Sequence, residues 1–277
     1  MSKGITAKVS GSYQKATGAF VNVEGDWIKF GGGKDPAVFD EAKSNNCTFT
    51  TLTNPFGDGK DYRMVEFKIS GTLVLESPGF ADYMIVGGGG NGGRGSNNNG
   101  THSSGGGGGG AGNMVDSTMS GGQPIFLGEG SHAITVASAA SASKAFGITM
   151  LGGKNGGNRC GGWSATLEPN GCGTNQYHPG GGGGGGFSAP GRSANGSAPG
   201  GAGIQSNFTG TLEWFCAGGS GGGSWAYGPS GSVNGISGAG GGGNATNGSG
   251  AGGGGANQAG ASGAGATGLV RVRVPIN

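Results

Sequence analysis

Uninterrupted runs of glycine limit what this chain can fold into. The runs 105–110, 180–186, 240–243 and 252–255 carry no side chain that could enter a hydrophobic core. Fixing glycine in one conformation also costs more entropy than fixing any other residue. These runs therefore stay unfolded unless contacts of the backbone itself order them.

The distribution of glycine favours order over a flexible linker. Of the 277 residues 75 are glycine, and only 11 of them precede residue 87. A glycine-rich segment of this kind is usually disordered, but here apolar stretches such as 125–127, 134–136 and 212–215 interrupt it. Charged residues make up only 11%, unlike in typical disordered chains, and collagen is excluded because the Gly-X-Y period is absent.

Helices of the polyproline II type offer a way to order the glycine runs. Such a helix has about three residues per turn, and without Cβ atoms several can lie side by side and exchange N–H···O=C bonds. The pure runs would then be inner helices and mixed stretches, such as 251–265, outer ones.

Alternating apolar and polar residues predict β-strands around these runs. We expect a hairpin from 64–69 and 72–76 and a third strand at 81–86. Later strands are predicted at 125–127, 132–137, 146–151, 211–216 and 269–274. The last should bury its apolar face and carry Arg271 and Arg273 on the other. The predicted fold is mainly β with little helix: β-sandwich strands combined with a polyglycine-II-like, glycine-rich slab.

The chain divides into three parts by composition. Residues 1–30 form an N-terminal β attachment element with glycine turns, 31–61 form a connector with a short helical turn at 39–42, and 62–277 form the glycine-rich domain closed by the strand 268–274. The first part is too short to bury a core alone, so we expect it to pack on a partner protein or on a neighbouring subunit. Its candidate attachment residues are Phe20, Val21, Val23, Trp27 and Ile28.

Bulky and amide side chains between the glycine runs are the candidates for recognition, because loops on a rigid scaffold carry binding residues. They are Asn98, His102, Trp163, Tyr177, His178, Trp225 and Tyr227. For Trp163, Trp225 and Tyr227 the other interpretation is structural: they cap the slab or fill a β core.

Signals for catalysis, metals and cofactors are weak. The stretch 218–222 fits G-x-S-x-G, but such matches arise by chance among glycines and no strand-to-helix context surrounds it. No Cys or His spacing matches a zinc site, so we expect no enzyme, no metal and no cofactor. A Cys160–Cys172 disulfide is conceivable within one glycine-rich block, but four thiols in a protein folded in a cytoplasm is the favoured interpretation.

Charge and hydropathy limit the kinds of partner that the chain is expected to bind. A net charge of +2 is too small to predict nucleic-acid binding, and no apolar run approaches the roughly 20 residues of a membrane helix. No signal peptide is recognisable at the start of the sequence. We therefore expect assembly in a cytoplasm, with no nucleic acid bound and no part embedded in a membrane.

Several stretches resemble the glycine-rich domain of bacteriophage tail and tail-fibre proteins. These are 82–90, where a strand runs into glycines, the segment 130–136 followed by Phe146-Gly147, and the closing 268–274; residues 18–27 are similar to short repeats of phage tail proteins. The long glycine runs also resemble the polyglycine domain of T-even-like tail-fibre adhesins, from which the N-terminal third departs.

This resemblance implies a virion tail protein, assembled in the host cytoplasm, that binds other tail proteins and a host receptor, either a protein loop or a glycan. It also implies a homo-oligomer. Alternatively the chain is an architectural minor tail, baseplate or capsid-decorating protein. Ice binding is a third hypothesis, but the Asn, aromatic and Arg interruptions argue against the flat face it needs.

Overall fold

A computed structural model describes residues 6–9, 12–15, 19–23, 26–30, 35–98, 102–158, 160–162, 164, 181, 184–192, 198–223, 242–257 and 260–276, with only the backbone described for those from 6 to 30 and for 97, 98, 102 and 103. Within these ranges the chain is mainly β and contains no helix, and thus no helix that could cross a membrane. The strands are β1 (Thr6–Val9), β2 (Ser12–Lys15), β3 (Ala19–Val23), β4 (Asp26–Phe30), β5 (Val38–Phe39), β6 (Thr48–Leu52), β7 (Tyr62–Phe67), β8 (Gly71–Ser77), β9 (Gly79–Val86), β10 (Ser96–Asn98), β11 (His102–Ser104), β12 (Met114–Asp116), β13 (Ile125–Leu127), β14 (Gly130–Ile134), β15 (Ser143–Ala145), β16 (Ile148–Met150), β17 (Ile204–Ser206), β18 (Glu213–Phe215) and β19 (Leu269–Pro275).

Two antiparallel sheets enclose the main core. The larger has the order β12-β9-β19-β7-β6, with β13 paired to the start of β9, and the smaller has the order β14-β8-β5. Alternate residues of both sheets point into the space between them. The buried residues there include Val65, Phe67, Leu73, Leu75, Ile85, Val270 and Val272. We call these two sheets the sandwich.

The predicted strands are present, but the predicted hairpin is wrong. β7 pairs with β6 and β19, whereas β8 pairs with β14 and β5, so the two strands lie in different sheets. Phe67 on β7 and Leu73 on β8 are both fully buried in the shared core. The apolar faces thus pack against each other across the sandwich instead of lying side by side in one sheet.

Two strands come from the stretch predicted as a connector. β5 forms an edge of the smaller sheet and β6 an edge of the larger. The helical turn expected at 39–42 is replaced by the end of β5 and a turn at 41–43.

The C-terminal strand is buried on both faces, not on one as predicted. Its second face belongs to another core that contains Met84, Leu269, Phe208 and Phe215. Arg271 is 8% exposed and Arg273 is 6% exposed. The short β17–β18 hairpin belongs to the part of the chain that covers this face.

Glycine segments continue directly from strands of the sandwich. Segment 87–95 follows β9, segment 105–113 leads into β12, segment 216–223 follows β18, and segment 260–268 leads into β19. Together with 151–164, 181–203 and 242–257, their described residues form what we call the glycine-rich region.

Backbone hydrogen bonds in this region recur every third residue. The N–H groups of Gly87, Gly90 and Gly93 donate to the carbonyls of Asn113, Gly110 and Gly107. The same spacing links 105–113 to two further segments: Gly107, Gly110 and Asn113 donate to Gly157, Lys154 and Leu151, and Gly106, Gly109 and Gly112 donate to Ala256, Gly253 and Gly250. All nine N···O distances lie between 2.7 and 2.9 Å. Successive residues of one segment therefore bond to different neighbours in rotation.

The expectation that pure runs lie inside and mixed stretches outside holds only in part. Residues 105–112 are buried as expected, but so are residues 250–256, which include Ala251 and Ala256. The methyl groups of Ala217, Ala245, Ala251 and Ala266 form a small apolar cluster of their own. Segment 250–256 thus accepts an alanine at position 251, where the methyl group meets other methyl groups.

Gly107→Ala should destabilise the protein far more than Gly128→Ala. A Cβ on Gly107 would lie closer than 3.0 Å to the carbonyl of Cys160, whereas a Cβ on Gly128 meets nothing within 4 Å. We expect a loss of about 3 kcal/mol or more at Gly107 and, at Gly128, a change within about 1 kcal/mol of wild type. Thermal unfolding of both variants measures this, and equal melting temperatures would contradict the close packing.

Candidate functional site

The glycine segments end together on the side remote from the sandwich, which we call the free end. Gly222 donates to Gly106, Gly106 to Ala256, and Ala256 to Gly93. Gly93 in turn donates to Gly107, and Gly107 to Gly157. Five segments are thus held level at the points where the chain turns back or leaves the described region.

Asn98 and His102 lie at the free end and are opposite each other. β10 and β11 form a hairpin with the register Ser96↔Ser104, Asn97↔Ser103 and Asn98↔His102. The hydroxyl groups of Ser96 and Ser104 lie 3.0 Å apart, and Ser104 Oγ donates to Asn158 Oδ1 in the neighbouring turn. Two predicted recognition residues therefore share one hairpin whose base is fixed.

The remaining recognition candidates, Trp163, Tyr177, His178, Trp225 and Tyr227, lie outside the described residues. Two glycines that the structure describes, close in sequence to these candidates, show where the chain joins the glycine-rich region. Gly181 donates to Gly222, at the free end, and Gly162 donates to Gly108. The roles of the five residues stay predictions.

The attachment candidates lie in a hairpin of β3 and β4. Its register places Val21 opposite Ile28 and Asn22 opposite Trp27. Because cross-strand partners share a face and neighbours alternate, Val21, Val23 and Ile28 belong to one face and Phe20 and Trp27 to the other. The candidates are thus split between the two faces of one hairpin.

Arg271 joins the last strand to two other parts of the chain. Its Nε donates to Glu66 Oε2 at 2.7 Å, and its Nη1 donates to Glu213 Oε2 at 2.5 Å. Lys68 Nζ lies 2.9 Å from Glu66 Oε1. Burial alone would raise the pKa of Glu66, but hydrogen bonds from Lys68 and Arg271 lower it overall. The half-buried carboxylate of Glu66 therefore has a cation at each of its two oxygens, as desolvated ions require.

Arg273 lies among three aromatic rings. Its guanidinium carbon is 4.3 Å from the ring centre of Phe56, 4.6 Å from that of Phe208 and 5.0 Å from that of Tyr62. Its Nε donates to Asp82 Oδ2 at 3.2 Å, and its Nη1 donates to the carbonyl of Phe208. Arg273 binds Phe208, just before β18, and Arg271 binds Glu213, on β18. Because segment 216–223 follows β18 directly, both arginines connect the start of a glycine segment to the sandwich.

The favoured interpretation of four thiols is wrong for Cys160, which is disulfide-bonded. Cys47 and Cys216 are free thiols. Cys172 lies outside the described residues. Burial raises the pKa of both free thiols, which suppresses the thiolate form needed for exchange.

Residues suited to chemistry are not brought together in the described part of the chain. No group of three or more His, Cys, Asp or Glu there could hold a metal ion. Ser220, the serine of the G-x-S-x-G match, is only 1% exposed inside a glycine segment.

A groove of about 660 Å³ lies at the other end of the molecule, near residue 35. We call this end the base. Its lining includes Pro36, Val38 and Ile276, and the last two are 45% and 44% exposed. Residues 1–34 join the sandwich at this end.

No protein-family model matches the chain, and no curated protein or solved structure matches it.

Glu66→Gln should reduce the acid sensitivity of the protein. The folded-state pKa of Glu66 is lowered from 4.5, so its stabilising effect is present above that pH and is lost as the pH falls through the folded pKa. Wild type should therefore lose more unfolding free energy between neutral and acidic pH than Glu66→Gln does. Denaturant titrations across this range test it, with the exposed Glu129→Gln as control; a pH profile of Glu66→Gln identical to wild type would contradict it.

Proposed function

We propose that the chain is a bacteriophage tail protein that binds a host receptor through the loops at its free end. The observation that carries this proposal is the position of the loop ends. The 95–105 and 157–160 connections, together with Gly181 and Gly222, lie at one level, held by the backbone bonds between segments. In this proposal, candidate residues far apart in sequence would share one surface.

The glycine-rich region in this proposal is a slab of polyglycine-II-like helices. The recurrence of hydrogen bonds at every third residue supports it, because a helix of this type has three residues per turn. At about 3.1 Å per residue, a nine-residue segment such as 87–95 spans about 28 Å. Such a slab would hold the loops rigidly away from the sandwich.

The base of the molecule suits attachment to the particle. The exposed apolar groove and the entry point of residues 1–34 both lie there, opposite the free end. Other tail proteins are the proposed partners at this end, and a homo-oligomer is part of the same proposal.

An architectural virion protein is the second candidate. The observation that favours it is the extent of backbone bonding, which by itself would make a resistant outer coat without any receptor. The two functions differ in whether the loops bind anything.

Substitution of the aromatic candidates by alanine separates the two functions. If Trp163, Tyr177 and Trp225 contact the receptor, each truncation should weaken adsorption to host cells by about 2 kcal/mol or more and leave the melting temperature near that of wild type. Adsorption and thermal unfolding are measured on the same preparations. Three variants with lowered melting temperatures and normal adsorption when folded would favour the architectural function.

Deletion of residues 1–30 tests attachment. A two-stranded hairpin such as β3–β4 is marginal alone and needs a surface to pack on. We expect the shortened protein to fold and to be lost from assembled particles, as measured by quantitative mass spectrometry of purified virions. Incorporation at the wild-type level would exclude this element as the attachment site.

A further inference from the structure

Charge is distributed unevenly between the two parts of the molecule. From residue 35 onward the structure describes these acidic residues: Asp35, Asp40, Glu41, Asp58, Asp61, Glu66, Glu76, Asp82, Asp116, Glu129 and Glu213. None of them lies in the described part of the glycine-rich region. That part carries three cations, Arg94, Lys154 and Arg192. A net charge of +2 for the whole chain conceals this separation.

These three cations are exposed and have no ion-pair partner among the described residues. Most cations of the sandwich are paired instead, for example Lys43 with Asp40 and Arg63 with Glu41. An exposed guanidinium without a carboxylate nearby keeps its donors available for a ligand.

Two of the cations lie at the free end. Arg94 follows Gly93, whose backbone is bonded to Gly107 and Ala256. The N–H of Arg192 donates to the carbonyl of Pro199, next to Ala198, which accepts from Gly221. Lys154 lies nearer the middle of its segment, where its carbonyl accepts from Gly110.

We propose that the free end binds an anionic cell-surface polysaccharide through Arg94 and Arg192. Phosphate and carboxylate groups both match the planar fork of a guanidinium, which can donate two parallel hydrogen bonds to either. Because the described residues of this region carry cations and no acidic side chain, they attract such a polymer, and its approach is steered by charge. The biological setting rests on the proposed function, whereas the binding chemistry can be measured separately.

The test uses the purified full chain and three polymers of similar length: a phosphate-bearing teichoic acid, a carboxylate-bearing polygalacturonate and neutral dextran. Binding is measured by biolayer interferometry at about 0.1 M and about 1 M NaCl, between which the screening length falls from about 10 Å to about 3 Å. The variant Arg94→Gln/Arg192→Gln is compared with Lys60→Gln/Lys144→Gln, which removes the same charge from exposed positions outside the glycine-rich region. Melting temperatures verify that both variants fold.

We expect binding to at least one anionic polymer at low salt, loss of that binding at high salt, and none to dextran. The arginine variant should bind about tenfold more weakly or worse, as expected when charge-assisted hydrogen bonds are removed, and the lysine variant like wild type. The teichoic acid and polygalacturonate arms identify which anion is preferred.

Three results would overturn the proposal. Both variants could bind the anionic polymers equally weakly, the arginine variant could bind them like wild type, or wild type could bind neither of them. Equal affinity for duplex DNA would overturn it too, because it would indicate a general attraction to polyanions. Adsorption to host cells separates the failure of this proposal from the failure of the proposed function. If the arginine variant adsorbs as well as wild type, only the anionic ligand is rejected. If wild type itself does not adsorb, the receptor-binding function is rejected.

Discussion

Close approach of backbone to backbone is the constraint on which the rest of the structure depends. A Cβ added to Gly107, Gly109 or Gly253 would lie within 3.0 Å of a neighbouring carbonyl group, so these positions admit only glycine. Buried N–H and C=O groups must be paired, and here they pair between segments. The sandwich sets the level of three segments, because β9, β19 and β12 lie in one sheet and are continuous with segments 87–95, 260–268 and 105–113. These segments are also bonded together, as Gly87 with Asn113 and Gly89 with Ala266.

The two arginines of β19 connect the glycine-rich region to the sandwich. A glycine segment has little apolar surface that could pack against a sheet, so contacts between the glycine-rich region and the sandwich must come from other residues. Glu213 and Phe208 precede segment 216–223 and bind Arg271 and Arg273, while Glu66 and Asp82 bind the same arginines from neighbouring strands. The buried charges are stable only in this complete set, because removing one partner would leave another charge desolvated.

Sequence patterns predicted where the strands lie better than which strands pair with each other. Alternation located β9 and β19 within a residue or two, since it reports which residues face a core. It could not show that β7 and β8 lie in different sheets, because an inward face looks the same in a hairpin and across a sandwich. Strands of three residues have too few residues for a period, so β12 and β17 were missed, whereas β13 was predicted because all three of its residues are apolar. Burial of the arginines was missed because their partner Glu213 lies 58 residues away from Arg271.

The ends of the glycine segments were predictable in outline for a similar reason, whereas the binding role of the candidate residues stays a prediction. Composition marks where the glycine runs stop, and Asn98 and His102 lie on paired strands at the free end. Which turns share that end depends on the direction of each segment, and only the hydrogen bonds between segments reveal it. The same bonds imply a division of tolerance to mutation. Inner positions such as Gly107 cannot accept a side chain, whereas a Cβ added to Gly157 at the free end meets no atom closer than 3.7 Å. Under the proposed function, a change of receptor can therefore arise at such positions without disturbing the packed segments.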